Sequence, residues 1–323
     1  MKLSIIIPTY NSADKINRCL DSILISKSNN FECIVINDGS TDNTKEVIIS
    51  YLKKDNRIKL INIPNSGVSC ARNVGLKNAI SEFVTFIDSD DYFCKNSIDL
   101  IIQNLNQNVD FFIYSYILNN NNKYKKIEFE NKHLDRKETI KEHIVKKMDL
   151  NSCWSKIYKL DIIKNNNIEF PINQKIGEDS IFVMKYLKVI EKVKFYKNSI
   201  LVYNNLEGNT MHNLQFEWFN DYCKELMYRE EISNISNIQP YKIYPLYAEL
   251  FFRFFILYTR NHSIKASKNA LRQNEILNFK KILLTKKWDM DSKIKLYIYK
   301  YLFKSSSVFV VLIYKVLGVI LCK

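Results

Sequence analysis

The amino-acid sequence predicts an α/β domain, a mostly parallel sheet flanked by helices, continued by a helical C-terminal extension. Three observations predict it. Four short apolar runs, each closed by a polar loop, recur within the first hundred residues, with helix-period segments between them. The most distinctive polar residues sit in the loops that follow those runs. From about Gln215 onward the segments are helical in period and rich in Tyr, Phe and Lys.

The runs Leu3–Ile7, Phe31–Ile36, Ile58–Ile61 and Phe83–Ile87 are β-branched and aromatic, and turn residues bound them, as expected of buried strands. The first intervening helix presents Ile16, Cys19, Leu20, Ile23 and Leu24 on one face, with Ser12 expected as its N-cap. The second presents Val47, Ile48, Tyr51 and Leu52, and the third Val68, Ala71, Val74 and Gly75. Strand–helix alternation at this spacing implies right-handed crossovers and a parallel sheet. Farther on, a strand is expected over 109–115, a turn at 119–122 and helices over 135–149 and 179–190. Two short strands are expected at Val193–Tyr196 and Ile200–Tyr203, which puts a domain at 1–210 and a helical, basic region at 211–323.

Charge divides the chain in the same way. The formal charge of +14 is absent from residues 1–100, where twelve basic and twelve acidic side chains cancel, while residues 261–323 carry a net +10. Lysines there punctuate Ile, Leu, Tyr, Phe and Trp288, and the apolar end from Val308 to Cys322 is broken by Lys315. A spanning helix needs about 20 mostly apolar residues, so an interfacial contact with an anionic membrane surface is the expectation, with a buried terminal helix pair as the alternative. Excess charge outside the sheet domain, with no recognisable module, argues against a nucleic-acid partner. Seven cysteines without a CxxC pair read as reduced core thiols of a cytosolic protein, and the N-terminal apolar run reads as a strand rather than a signal peptide.

Open parallel sheets bind ligands at the carboxyl ends of their strands. The first such loop, Pro8-Thr9-Tyr10-Asn11, lacks the glycines of a dinucleotide site or P-loop. Asp88-Ser89-Asp90-Asp91 follows the fourth run, and clustered carboxylates there suit Mg²⁺ or Mn²⁺ shared with substrate phosphates. Capping of a helix around 98–105 is the alternative. Asp38 reads as a turn residue or as an acceptor for the imide N–H of uracil. Arg72 reads as a cation near phosphates or as a surface helix charge. Glu178 and Asp179 either cap the helix that follows or supply a general base, for which Asp179 is the choice, with Glu178 orienting it or binding acceptor. Trp154 and Lys156 either line the acceptor side or are a core Trp beside a surface Lys. His212 is a further candidate metal ligand or phosphate contact.

Four stretches resemble the inverting family 2 glycosyltransferases in type, order and spacing: Ser4 to Asn11, Ile36 to Asp42, Asn65 to Asn73, and Phe86 to Asp91. Cys153 to Lys156 and Gly177 to Asp179 extend the resemblance to about residue 210. It implies the nucleotide-diphospho-sugar transferase fold of GT-A type. Pro8, Thr9, Asn11 and Asp38 would hold the nucleoside of a UDP-sugar, with Arg72, Asp88 and Ser89 also on the donor. Asp90 would ligate Mn²⁺ or Mg²⁺, and Asp179 would be the base of a single inverting displacement onto a glycan or lipid-linked acceptor at the inner face of the membrane. Where relatives often show a basic residue before Gly-Ser, this chain has Asn204 to Thr210, a departure that bears on any phosphate contact from that loop. A catalytically inactive nucleotide-sugar-binding or scaffold protein is the alternative within the family.

Overall fold

A computed structural model describes residues 1–144, 148, 150–205 and 218–238. The chain separates into two compact units, Met1–Asn209 and Thr210–Lys323. The expected basic membrane region and His212 lie outside the described residues. In the second unit the described helix is α8 (Phe219–Ile235). Among the described residues no helix is long and apolar enough to cross a membrane.

The first unit is built on one sheet. Its first half follows the expected rhythm: β1 (Leu3–Thr9), α1 (Ile16–Leu24), β2 (Phe31–Asp38), α2 (Thr44–Leu52), β3 (Ile58–Ile63), α3 (Val68–Asn78) and β4 (Phe83–Phe86). β1, flanked by β2 and β4, and the β2–β3 pair are all parallel, in the order β3-β2-β1-β4. Both β1 and β2 are buried along their whole length, as strands covered on both faces must be.

The second half is mixed. Next come β5 (Tyr92–Phe93), α4 (Ser97–Asn104), β6 (Phe111–Asn120), β7 (Lys123–Ile127), β8 (Lys132–Asp135) and α5 (Arg136–Ile144). After them come β9 (Lys156–Lys159), α6 (Leu160–Asn165), α7 (Glu178–Leu187) and β10 (Lys192–Asn204). β9 lies antiparallel between β4 and β6, β10 runs parallel to β6, and β5 closes that path antiparallel to β10. The turn expected at 119–122 is the β6–β7 connection, where Asn121 and Asn122 both take positive φ.

Several local expectations are corrected. Ser12 is not the cap of α1: Lys15 holds that position, and the Ser12 hydroxyl bonds Tyr10 O and Ser89 Oγ instead. The two short strands near 193–203 are one long strand, interrupted by register shifts between Tyr196 and Leu201. α3 does not bury Val68, which is exposed, but packs Ala71, Arg72, Asn73 and Gly75 inward. Gly75 permits this, since a Cβ there would overlap the Ile6 side chain of β1.

One core lies between the sheet and α1, α2 and α4, with Leu20, Ile23, Ile98 and Ile101 against Phe112, Tyr114 and Ile200. On the α7 side, Phe86 meets Phe170, Phe182 and Tyr158 edge to face, and Phe170 stacks on Phe182 at 4.0 Å. Such pairs contribute roughly 0.5–1.5 kcal/mol each beyond area burial. They seat α7, and with it Glu178 and Asp179, against the sheet.

Candidate active site

The loops after β1, β2, β3 and β4 meet on one rim, as the alternation implied. Asn11, at φ 45°, takes a hydrogen bond from the Thr41 N–H and gives its own N–H to Ser40 Oγ. Ser12 N–H donates to Thr44 Oγ1 at 2.8 Å, and Ser12 Oγ lies 2.9 Å from Ser89 Oγ, joining the first loop to the fourth. Asp38 is buried, and its two carboxylate oxygens accept the N–H groups of Ser66 and Gly67 at 2.7 and 2.8 Å. Each oxygen keeps lone-pair capacity for a ligand N–H. Gly39 allows the tight approach, because a Cβ there would meet the Asn65 backbone. Pro8 and Thr9 are buried at the end of β1 beneath this network.

Arg72 is the centre of the site. It is only 3% exposed, which excludes a surface helix charge. Its Nη2 donates to Asp88 at 2.8 Å, and its Nη1 donates to Asp179 at 2.6 Å and Glu178 at 3.4 Å. Helix α3, the loop after β4 and the start of α7 thus converge on one guanidinium. Asp179 also accepts the Cys153 N–H at 3.1 Å. The Phe170 ring lies under Arg72, with the guanidinium carbon 5.3 Å from the ring centroid, and Asn73 anchors Phe170 by paired bonds to its N–H and C=O. Glu178 and Asp179 open α7 behind Gly177 as the acids of its first turn, and both also reach the arginine. Burial first, then the Asp179 charge, push the Glu178 carboxyl up to about 7, against the pull of Arg72.

Asp90 and Asp91 differ. No ion pair to either occurs among the described residues, and burial together with Asp88 raises both carboxyls above the usual range. Asp91 Oδ1 accepts the Asn204 N–H at 2.7 Å, while its buried Oδ2 has no hydrogen-bond partner. Capping of α4 is excluded, because β5 intervenes and Asn96 precedes the helix. A divalent cation fits this donor set: hard oxygens, carboxylates without an ion pair among the described residues, and the orphaned buried Asp91 Oδ2. No cage of three or more His, Cys, Asp or Glu forms among the described residues, so a cation here would complete its shell from substrate oxygens or water.

Trp154 is 8% exposed and packs in the core, stacked on Tyr203 at 4.8 Å and edge-on to Tyr116 at 4.7 Å. Lys156 is buried as well, its Nζ on Ser152 Oγ, which excludes the surface-lysine alternative. Sequence reasoning missed Asn204. Its amide donates to the Asp90 carbonyl and accepts from Asn119, tying the acidic loop to β6 and β10. Its place in Asn204-Asn205, where the chain departs from the family pattern, was the available signal.

The model of glycosyl transferase family 2 matches residues 4–165. Glycosyltransferase GlyA of Streptococcus pneumoniae is 30% identical over 237 residues, covering 67% of this chain and 32% of that protein. An uncharacterized glycosyltransferase of Rickettsia felis is 39% identical over 134 residues, covering 42% of this chain and 21% of that protein. The chain thus spans a third or less of these two relatives. EpsJ of Bacillus subtilis, an uncharacterized glycosyltransferase, is 27% identical over 72% of this chain and 69% of its own. Among solved structures, S. aureus TarS 1-349 in complex with UDP-GlcNAc superposes with a TM-score of 0.65 at 24% identity, covering 84% of this chain and 79% of that one, a likeness that carries the fold. With half its length matched by the family model and four polar loops gathered on the rim of a GT-A-type sheet, the chain belongs to glycosyl transferase family 2.

Proposed function

We propose that this chain transfers a sugar from a UDP-sugar to a hydroxyl of a glycan or lipid-linked acceptor of the cell envelope, inverting the anomeric centre. The observation that carries the reading is the convergence of Asp88 and Asp179 on buried Arg72, beside an Asp90 carboxyl that burial and Asp88 hold above the usual range. The UDP-GlcNAc bound by TarS supports a uridine-diphosphate donor.

In this reading Asp38 takes the uracil imide N–H, while Thr9 and Asn11 line the nucleoside. Asp88 orients the donor sugar or its ribose, held in place by Arg72. Asp179 takes the proton of the acceptor hydroxyl as its oxygen bonds to the anomeric carbon and the bond from that carbon to the diphosphate breaks. The Arg72 pair and the Cys153 N–H hold the Asp179 carboxylate fixed in direction before the acceptor arrives. Bound at Asp90, Mn²⁺ or Mg²⁺ would neutralise charge on the departing diphosphate. The half-buried rings of Tyr203 and Tyr116, backed by Trp154, suit an acceptor sugar face better than Trp154 itself. The basic C-terminal region would hold the enzyme at an anionic inner membrane surface.

A donor screen tests the reading: the protein, Mn²⁺ and a panel of nucleotide sugars, scored by released nucleotide. Asp179→Asn should bind UDP as the wild type does in calorimetry, while transfer falls ~10²–10⁴-fold. Wild-type transfer by this variant would move the base elsewhere, to Glu178 first. UDP binding without turnover on any donor would favour the inactive-scaffold alternative.

A further inference from the structure

The first unit carries a basic cleft lined by none of the candidate active-site residues. It opens beside α4 where β10 loses register with β6. The shifts between Tyr196 and Leu201 push Lys197 and Asn198 out of the ladder, and such bulges commonly re-aim side chains at sites. The main cleft has a volume of about 550 Å³, and Lys95, Lys126 and Lys197 line it with Asn131, Asn198 and Ser199. An adjoining cavity of about 360 Å³ shares Leu100, Asn131 and Asn198 with it and adds Lys132, Lys194 and Tyr196.

Charge and hydrogen bonding here are unbalanced. Glu128 is paired with Lys126 and Glu142 with Lys132. Among the described residues no carboxylate lies within ion-pair distance of Lys95, Lys194 or Lys197, although Glu128 senses the charge of Lys197. Tyr196 is only 8% exposed, and its hydroxyl has no hydrogen-bond partner, nor has the buried Ser199 Oγ. Stacking on Tyr114 at 4.6 Å fixes the Tyr196 ring, so the hydroxyl cannot swing away to find one. Buried hydroxyls without partners are rare and point to an absent ligand or water. The first turn of α4 adds Ser97 and the positive end of a helix dipole to the same wall.

We infer that this cleft is a second binding site, distinct from the candidate active site, for a phosphate-bearing ligand held by Lys95, Lys126 and Lys197, with Tyr196 and Ser199 as hydroxyl donors. Lys95 and Lys197, with Lys126 beside them on Glu128, stand among carboxamides and hydroxyls, a setting that suits a charged phosphoryl group better than a neutral sugar. The site communicates with the acidic loop through a short path. Lys95 lies just beyond β5, Cys94 N–H bonds Ile200 O, and β10 continues to Asn204, which holds Asp90 and Asp91.

Lysine-reactivity footprinting of the full chain reads the site without any donor or turnover. In chelating buffer, inorganic pyrophosphate forms one arm and phosphatidylglycerol vesicles, against phosphatidylcholine, the other. Lys95, Lys126 and Lys197 should be protected about fivefold or more at saturation, while exposed Lys45 and Lys53 stay reactive. Protection by pyrophosphate identifies a soluble phosphate ester, and protection by anionic vesicles alone a lipid headgroup; either supports the site. Tyr196→Phe keeps the stacked ring and removes the hydroxyl, so half-protection should need about tenfold more ligand. Lys95→Gln with Lys197→Gln, both on the surface, should abolish protection of Lys126. Protection equal to that of Lys45 and Lys53 in both arms would overturn the inference, as would unchanged protection of Lys126 in both variants.

Discussion

Two groups of acids share the rim and are balanced in opposite ways. Asp88, Glu178 and Asp179 surround a guanidinium that arrives from α3, and every one of them touches it. Asp90 and Asp91, one and two residues on from Ser89, have neutral partners: the Asn204 N–H on Asp91, the Asn204 amide on the Asp90 carbonyl, and the Ser12–Ser89 bond behind them. The first group is preorganised by the chain itself. The second has no ion pair among the described residues, the Lys15 charge only easing Asp90, and burial makes its charge costly. In the proposed function the second group, which has no ion pair among the described residues, is the one that would receive a cation from outside. The same mutation, loss of one charge, should therefore act in opposite directions in the two groups.

The largest effect is expected at Arg72. Arg72→Met leaves three part-buried carboxylates without their cation, and removing one member of a buried pair costs about 3–5 kcal/mol. Urea unfolding measures it, and transfer should be lost as well. Arg72→Lys should recover little, because an ammonium cannot bridge Asp88 and Asp179 with separate, fixed nitrogens. Unfolding midpoints unchanged from wild type would show that the first group does not depend on its arginine.

At Asp90 the expectation reverses. Asp90→Asn removes a carboxylate whose charged form is disfavoured in the fold, so the metal-free protein should melt at the same temperature or higher. Turnover should nevertheless fall about 10³-fold, the effect of losing several kcal/mol of charge stabilisation on the leaving diphosphate. Stability lost in parallel with activity would end the contrast between the two groups. Full activity in excess chelator would end the metal assignment.

A smaller, pH-dependent effect belongs to Glu178. Its carboxyl titrates near 7 in the fold, against an ordinary value of 4.5. Between those pH values the unfolded chain has released this proton and the folded chain retains it. Stability from this group is thus full below about pH 4.5, falls as pH rises through 7, and is level above. Glu178→Gln should flatten that slope, by about 1–3 kcal/mol across the window, in unfolding curves taken from pH 4 to 8. An equally steep slope in the variant would assign the titration to another group.

The two groups also differ in how far they could be read in advance. Each acid was visible as a type in its motif, because strand, loop and helix follow within a few tens of residues in the parallel half, and β1 to β4 appeared nearly in place. Pairing across the chain was not visible. Arg72 and Asp179 are separated by 107 residues, Asp91 and Asn204 by 113, and no local pattern marks such partners. The mixed half of the sheet shows the same limit. Strand β9 enters between β4 and β6 from far along the sequence, and the bulge in β10 interrupts its alternation, so one strand read as two. Arg72 itself lies on a helix face that looks polar by periodicity, because its burial depends on carboxylates that only the tertiary fold brings in.

The smallest effect tests the neutral bonds that hold the second group. Asn204 is buried, and its side chain donates to the Asp90 carbonyl and accepts from Asn119 Nδ2 at 2.8 Å. Asn204→Ala removes both bonds but keeps the backbone N–H that reaches Asp91, so about 1–2 kcal/mol of stability should be lost. If those bonds also hold Asp90 in the direction a cation needs, part of that energy should appear in metal binding. The Mn²⁺ concentration for half-maximal transfer should then rise about fivefold, the equivalent of roughly 1 kcal/mol. UDP affinity measured without metal should not change, since the Asp38 loop is anchored by Ser66 and Gly67 and not by Asn204. Asn204→Asp is the sharper variant. It retains the acceptor for Asn119 but sets a third carboxylate against Asp90 and Asp91, which should weaken the apo fold further and let added Mn²⁺ restore part of the loss. A stability loss with no change in Mn²⁺ dependence would make Asn204 a structural tie alone, and would leave the Asp90 loop oriented by Ser12 and Ser89.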